Sequence, residues 1–545
     1  MQLITVLELT GLLHLSLSLG YLLAQEYVTV EIQEGTLRGQ MSKTWTDIPM
    51  FMFQGIPYAE PPVGDLRFQP PVSKAAWSGV RDALAVGSMC PQLDNNEASG
   101  DEDCLYLNVF GPETALQKEE LKPVMVWIHG GCFTSGYGQG ATPNYYVDQD
   151  VILVSINYRL GLLGFLSTGD EVVPGNMGLK DQTEALRWVQ RNIAAFGGDP
   201  QKVTIFGQSA GGASIHYHVV SPLSTGLFKN AISMSGSSLN PWAFSRNATD
   251  RAIRFAQYLG YTGKTSSDLV NFLKNVDPST LIMDQKVALS EEDSKTLFTC
   301  VWVPSAEPVH DGAFLTEEPW TALSEGRYNL VPFMAGNTDL ERVGHTQPGG
   351  SLSTEAKIEN LNENFGEIVG CDLRLPTKEE RVEGAESVKK FYYNGSDITL
   401  KDNYTTALFD SHLFFVEGVD AAIRSMTRFS SQPVYYYQFS FVGPLSAYPG
   451  GPGAAHADDM RYMYTTPTDL DPESDGGIIR AQMIEMWANF AKYDNPTPEQ
   501  TSLLTEAWKE YNESSQHYLE ITRPLRLKTK LFEPYMIFWH NLLPS

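Results

Sequence analysis

Short, nearly continuous apolar runs that end in glycine-rich or polar turns recur along most of this chain. Val124–Ile128 runs into His129-Gly-Gly131, Val151–Ile156 into Asn157-Tyr-Arg159, and Val203–Phe206 into Gly207-Gln-Ser209. Phe333–Ala335 ends at Gly336, and Val434–Phe441 enters a Gly/Pro-rich loop that precedes His456. Runs without polar alternation predict strands buried on both faces, as in a parallel or mixed central sheet. Between two of them the period changes. From Gly178 to Ala195, Leu179, Leu186, Val189 and Ile193 recur near helical spacing, and Gly197-Gly-Asp-Pro200 stops the helix before the next strand. Strand, helix, strand is the signature of an α/β fold, with a large, mostly parallel sheet flanked by helices.

At 545 residues, a rule of about 150 residues per domain suggests three or four domains. No long Ser/Gly/Pro linker, repeat or low-complexity run divides the chain, and open sheets of roughly 8–15 strands occur in large single-domain α/β enzymes. Residues 25–545 are therefore expected to form one domain. Residues 1–24 read as a cleaved signal peptide: an apolar stretch from Leu9, too short and polar to span a bilayer, ends at the small residue Ala24. Neither a stable membrane anchor nor a retention signal is expected. Four sequons, at Asn247, Asn394, Asn403 and Asn512, fit glycosylation of a secreted protein, whereas Asn495 is excluded by the proline that follows it. The net charge of −26 repels phosphate backbones, so nucleic acid is not an expected partner. No metal or cofactor is expected, and the oligomeric state is left open.

The sharpest chemical signal is Gly207-Gln-Ser-Ala-Gly-Gly212, a G-x-S-x-G motif between an apolar strand and the helical run Ala213–Val220. A tight strand-to-helix turn exposes the serine Oγ, its flanking glycines admit the crowded backbone, and the helix aims its positive end at developing charge. Serine needs a base, and the base an orienting acid. Where this turn is found, the order along the chain is serine, acid, histidine. His456, after a strong strand and a Gly/Ala-rich loop, is the candidate base. Asp339 and Glu341 both follow the strand ending at Ala335, and spacing alone does not choose between them. His129-Gly-Gly-Cys132 follows a strand in the manner of an oxyanion loop, so the backbone N–H groups of Gly131, Cys132 and Ala210 are candidate oxyanion donors.

Of five cysteines, Cys90 and Cys104 flank a polar loop and are the expected disulfide. Cys300 with Cys371 is a further expected pairing, although nothing in their surroundings links them. Cys132 is expected to keep a negative φ and to present its thiol beside the acyl group of a substrate.

These motifs resemble the type-B carboxylesterase and cholinesterase family. The likeness extends over nearly the whole mature chain, through Phe53-Gln-Gly-Ile-Pro-Tyr-Ala-Glu-Pro-Pro62, Glu102-Asp-Cys-Leu-Tyr-Leu-Asn108, the His129 loop, Asn157-Tyr-Arg159 and Phe196-Gly-Gly-Asp-Pro200. It continues through the Ser209 motif and Gly453-Ala-Ala-His-Ala-Asp-Asp459. The resemblance implies an α/β-hydrolase fold and hydrolysis of a small-molecule ester by Ser209, Glu341 and His456. It also implies the Cys90–Cys104 bridge and ion pairs Arg67–Glu102 and Arg159–Asp181. The chain departs from the family pattern in having Cys132 for the loop's third glycine and Arg342 after the acid. Its Cys90–Cys104 loop has no aromatic residue, where cholinesterases place a tryptophan for the quaternary ammonium. Trp242 is similar to an acyl-pocket tryptophan and reads equally as core. Within the family the chain is most similar to arthropod secreted esterases. Gln208, and Lys180, Arg187 and Arg191 on one helix face, are features associated with juvenile hormone esterases. An adhesion protein that kept the fold and lost its triad is the competing class.

Overall fold

The computed structural model describes residues 26–138, 143–464 and 470–543. The expected signal peptide, residues 1–24, lies outside them. Among the described residues thirteen strands form one sheet. In chain order they are β1 (Tyr27–Ile32), β2 (Gly35–Lys43), β3 (Pro49–Pro57), β4 (Val80–Asp82), β5 (Tyr106–Pro112), β6 (Lys122–Ile128) and β7 (Ile152–Ile156). There follow β8 (Gly198–Gln208), β9 (Asn230–Met234), β10 (Phe333–Thr338), β11 (Val434–Phe439), β12 (His517–Ile521) and β13 (Arg526–Thr529). Their spatial order is β1-β2-β3-β5-β7-β6-β8-β9-β10-β11-β12-β13, with β4 paired to β2. From β7 to β12 every pairing is parallel, and antiparallel strands close both ends.

The apolar runs are continuous because both faces of these strands are covered. Val124, Val126 and Ile128 of β6 enter one hydrophobic cluster, while Met125 and Trp127 enter another on the opposite face. Alternate side chains of a strand point to opposite faces. The first cluster also contains Leu179, Leu186 and Val189 of helix α1 (Met177–Asn192) and Ala213 and Ile215 of α2 (Ala210–Val220). The second contains Ile479, Met483, Trp487 and Phe490 of a long helix, Asp475–Tyr493. The α1 pattern read from Gly178 to Ala195 becomes an α-helix to Asn192 that tightens into a 3₁₀ turn, Ile193–Phe196.

Chain order reverses beside β6, which lies between β7 and β8. At such a switch point the loops leaving two neighbouring strands part in opposite directions and open a crevice at the carboxyl ends of the strands. The His129 loop, Ser209, Glu341 and His456 all follow strands of this parallel set, β6, β8, β10 and β11 respectively. Arg159 and Asp181 form a buried bidentate pair at 2.7 Å, and Arg67 pairs with Glu102 at 2.5 Å. No helix among the described residues is long and apolar enough to cross a membrane.

Candidate active site

Register sets the first component. Gly207 pairs with Ile128 on one side and Ser233 on the other, and Ser209 N–H donates to Met234 O at 2.8 Å. The strand then turns into α2 within one residue. Ser209 occupies that corner with φ 60° and ψ −125°, a conformation that costs a non-glycine residue on the order of 1–3 kcal/mol. The glycines are required by close packing. A Cβ on Gly207 would stand 2.5 Å from Ile128 O, and one on Gly212 would stand 2.6 Å from Met234 O. A Cβ on Gly211 would also strike Ile128 O. Helix α2 begins at Ala210, so the Ala210 N–H belongs to the first turn, where no intrahelical acceptor exists.

Across the corner, His456 Nδ1 lies 2.5 Å from Glu341 Oε2. The Glu341 side chain is fully buried, and its other oxygen accepts from Ser235 Oγ at 2.6 Å and Thr338 N–H at 2.8 Å. The two chain segments are also joined directly, His456 N–H donating to Glu341 O at 3.0 Å. Asp339 has a different task. Its Oδ1 accepts from Ala454 N–H at 2.7 Å, bracing the loop that delivers His456, and burial pushes its carboxyl up to about 7. The acid in contact with the imidazole is thus Glu341. The second imidazole nitrogen, Nε2, lies 3.2 Å from Gln208 Nε2. With the imidazole proton on Nδ1 and donated to Glu341, Nε2 carries the lone pair that meets this amide.

The loop after β6 faces the same corner. A Cβ on Gly130 would stand 3.0 Å from Ser209 Cβ. His129 does not serve as a base: it is buried, stacked on Tyr158 at 4.4 Å, and desolvation lowers it to about 4. It props the loop, helped by Tyr158 Oη donating to His129 O at 2.9 Å. At the loop's far end Gln92 clamps Gly136, accepting its N–H at 2.7 Å and donating to its carbonyl at 2.9 Å. Gln92 belongs to a small hairpin, Gln92–Asp94 with Glu97–Ser99, closed at its base by the Cys90–Cys104 disulfide.

Two expectations about cysteine are overturned. Cys132 is not a free thiol and its φ is not negative: φ is 57°, and its Sγ is bonded to Cys300. The turn is left-handed there, which brings Cys132 within a Cα–Cα distance of 5.5 Å of Cys300. Cys300 therefore cannot pair with Cys371, which remains free at a helix end, its Sγ donating to Ile368 O at 3.0 Å and its thiol pushed up chiefly by burial. A third correction concerns the basic helix face. Arg187 and Arg191 are partly exposed beside Glu184, but Lys180 is buried in a 2.7 Å pair with Glu307.

Sequence reasoning missed Ser235, Gln92, the pairing of Cys132 with Cys300, and Phe298 and Phe415 of the aromatic wall behind the imidazole, although the sequence singles out Trp242. In that wall Phe415 packs on His456 at 4.6 Å, and Phe298 and Trp242 pack on Phe415. Trp242 is 2% exposed and its Nε1 donates to Phe414 O, so it backs Phe415 from the core. Arg342 lies 4.2 Å over the Phe298 ring and pairs with Asp410. None of these contacts has a local pattern. The four sequon asparagines are all exposed. No cluster of metal-binding side chains occurs among the described residues.

The family model of the carboxylesterase family matches residues 26–539. A carboxylic ester hydrolase of Bombus ignitus is 32% identical over 90% of this chain and 89% of its own length. A juvenile hormone esterase of Tribolium castaneum is 34% identical, covering 86% and 83%. A bile salt-activated lipase of Bos taurus is also 34% identical, covering 91% and 84%. With a mostly parallel, helix-covered sheet and a serine at the strand-to-helix corner, the chain belongs to the carboxylesterase family and is an α/β-hydrolase that hydrolyses carboxylic esters.

Proposed function

We propose that Ser209 is the nucleophile, His456 the base and Glu341 the acid that orients it. The observation that carries this reading is the Glu341–His456 contact of 2.5 Å beside the strained Ser209 corner. His456 Nε2 takes the Ser209 proton as Oγ attacks the ester carbonyl. The N–H groups of Gly131, Cys132 and Ala210 receive the oxyanion. The alcohol leaves with the proton from His456, and water repeats the cycle on the acyl-enzyme. Gln208 must yield Nε2 to Ser209 Oγ for the first step. Activity falls at low pH because a protonated base accepts nothing. Ser209→Ala should lower kcat by roughly 10⁴–10⁶-fold, and an organophosphate should label Ser209 alone. Near-wild-type turnover in that variant would sink the assignment.

The substrate is a neutral, apolar ester. The imidazole is walled by Phe415 and its aromatic neighbours, and the Cys90–Cys104 loop offers no ring to a quaternary ammonium. Juvenile hormone is a second reading, favoured by Gln208 and by the Tribolium relative. The lipase relative matches equally well, so identity does not choose. Comparing kcat/KM across short aryl esters, juvenile hormone, choline esters and triglycerides decides among them. The enzyme is secreted as one domain, residues 25–545, after loss of residues 1–24. Two disulfides and four exposed sequons support that route. A carboxylesterase retaining all three triad residues argues against a purely adhesive role.

A further inference from the structure

The turn after Gly130 departs far from ordinary backbone. φ is 98° at Gly131, 57° at Cys132 and 58° at Phe133. A left-handed φ is costly for a residue other than glycine, although exposed Lys118 and Lys530 also adopt one here, at 57° and 61°. Phe133 is held there by burial: it is 0% exposed, its ring packs on Phe165, and its carbonyl accepts Gly161 N–H at 2.7 Å. Cys132 is partly exposed and has no such burial; Thr134 and Ser135 N–H close the turn around it by donating to Gly131 O at 2.9 and 3.0 Å, and its side chain is held by the covalent bond to Cys300. Cys300 lies 168 residues further along, just after Phe298. Phe298 packs on Phe415, and Phe415 packs on the His456 ring. One bond therefore joins the turn that carries two oxyanion donors to the aromatic packing behind the base.

We propose that the Cys132–Cys300 disulfide is a positioning element of ester hydrolysis: it holds Cys132 left-handed and so aims the Gly131 and Cys132 N–H groups at the developing oxyanion. This rests on the proposed role of those groups. Donors contribute most when they are fixed before charge develops. Released from Cys300, Cys132 relaxes toward negative φ, which rotates the adjoining peptides away from the ester oxygen. The glycine that the family pattern places here needs no such restraint. The bond lines a cleft of about 510 Å³ with Leu93, Ile282 and Val301, which gives a small reductant access to it.

The purified full-length enzyme is titrated with dithiothreitol, which opens the bridge to two thiols while closing to its own cyclic disulfide. Turnover is followed against the fraction of Cys132 and Cys300 alkylated by iodoacetamide, and peptide mapping scores Cys90 and Cys104 separately. Three variants accompany the titration: Cys300→Ala, Cys132→Ala with Cys300→Ala, and Cys132→Gly with Cys300→Ala. Cys300→Ala and the alanine double variant should lose kcat by about ten-fold or more, with KM within about two-fold. Their affinity for a trifluoromethyl ketone, which reads the oxyanion donors, should fall in parallel. The glycine double variant should regain most of the lost kcat, because glycine adopts a φ near 57° unaided. A crosslink that only stabilises the fold would lower the melting temperature of all three variants and leave kcat and inhibitor affinity at wild-type values, which overturns the proposal. Equal kcat in the glycine and alanine double variants overturns it too, as does mapping that finds Cys132 and Cys300 unbridged in the purified enzyme. If a variant does not fold, the titration decides: full kcat with both thiols alkylated rejects the positioning role. Organophosphate labelling of Ser209 in the oxidised enzyme keeps the outcomes apart. Labelled Ser209 with unchanged crosslink-free kinetics rejects this proposal alone, whereas unlabelled Ser209 rejects the nucleophile assignment.

Discussion

Two acids, Asp339 and Glu341, compete for one role on sequence spacing, and three-dimensional contacts separate them. Glu341 touches the imidazole and is itself fixed by Ser235 and Thr338. Its replacement by glutamine leaves the shape but lets the amide set the wrong imidazole tautomer, so Glu341→Gln should lower kcat by roughly 10³–10⁴-fold. Asp339 accepts backbone N–H groups, Ala454's among them. Asparagine can accept the Ala454 bond, so Asp339→Asn should change kcat by no more than a few-fold. Steady-state kinetics of the two variants side by side checks this, and a reversed ranking would transfer the orienting role. Ser235 shows why residue-level reading stops short. It lies 106 residues before Glu341 in the chain, and nothing in Met234-Ser235-Gly236 marks a carboxylate partner.

At the scale of elements, legibility follows the range of the physics. The strands β6, β8, β10 and β11 were readable because burial on both faces writes a continuous apolar run. The Ser209 corner was readable because the glycines that crowd against Ile128 and Met234 must all be glycine. The Cys132–Cys300 bond was not readable, because a left-handed turn rather than any spacing brings those residues together. In the sequence, the segment from Gln92 to Ser99 shows only a polar loop, yet as a hairpin it clamps Gly136 through both polar atoms of Gln92. A hairpin so placed fixes the far end of the loop proposed to receive the oxyanion. Gln92→Ala should therefore lower kcat by roughly ten-fold with little change in KM, since a loosened donor is lost chiefly in the transition state. Loss of thermal stability with unchanged kcat would make the clamp a matter of folding alone.

At the scale of the molecule, burial of acids sets the response to pH. Desolvation pushes Asp339 and Asp459 up to about 7 and Asp372 up to about 8. Repulsion from Glu341 adds to the rise at Asp459. An aspartate in the unfolded chain titrates near ~3.9. Between that pH and about 7–8 the folded protein therefore binds more protons than the unfolded one. Stability from these groups is fully present below the unfolded value and is lost as pH rises through the folded values. The net charge of −26 acts in the same direction, because each further ionisation increases self-repulsion. The enzyme should thus unfold at lower denaturant concentration at pH about 8.5 than at pH about 6. Asp372 tests the cause away from the triad contact: it accepts from Thr296 Oγ1 at 2.6 Å, a bond asparagine can keep. Asp372→Asn should raise the denaturation midpoint at both pH values, about twice as far at the higher pH as at the lower one, flattening the dependence. Parallel midpoints for variant and wild type across that range would show that Asp372 is already ionised in the folded enzyme, and would move the origin of the pH response to surface charge.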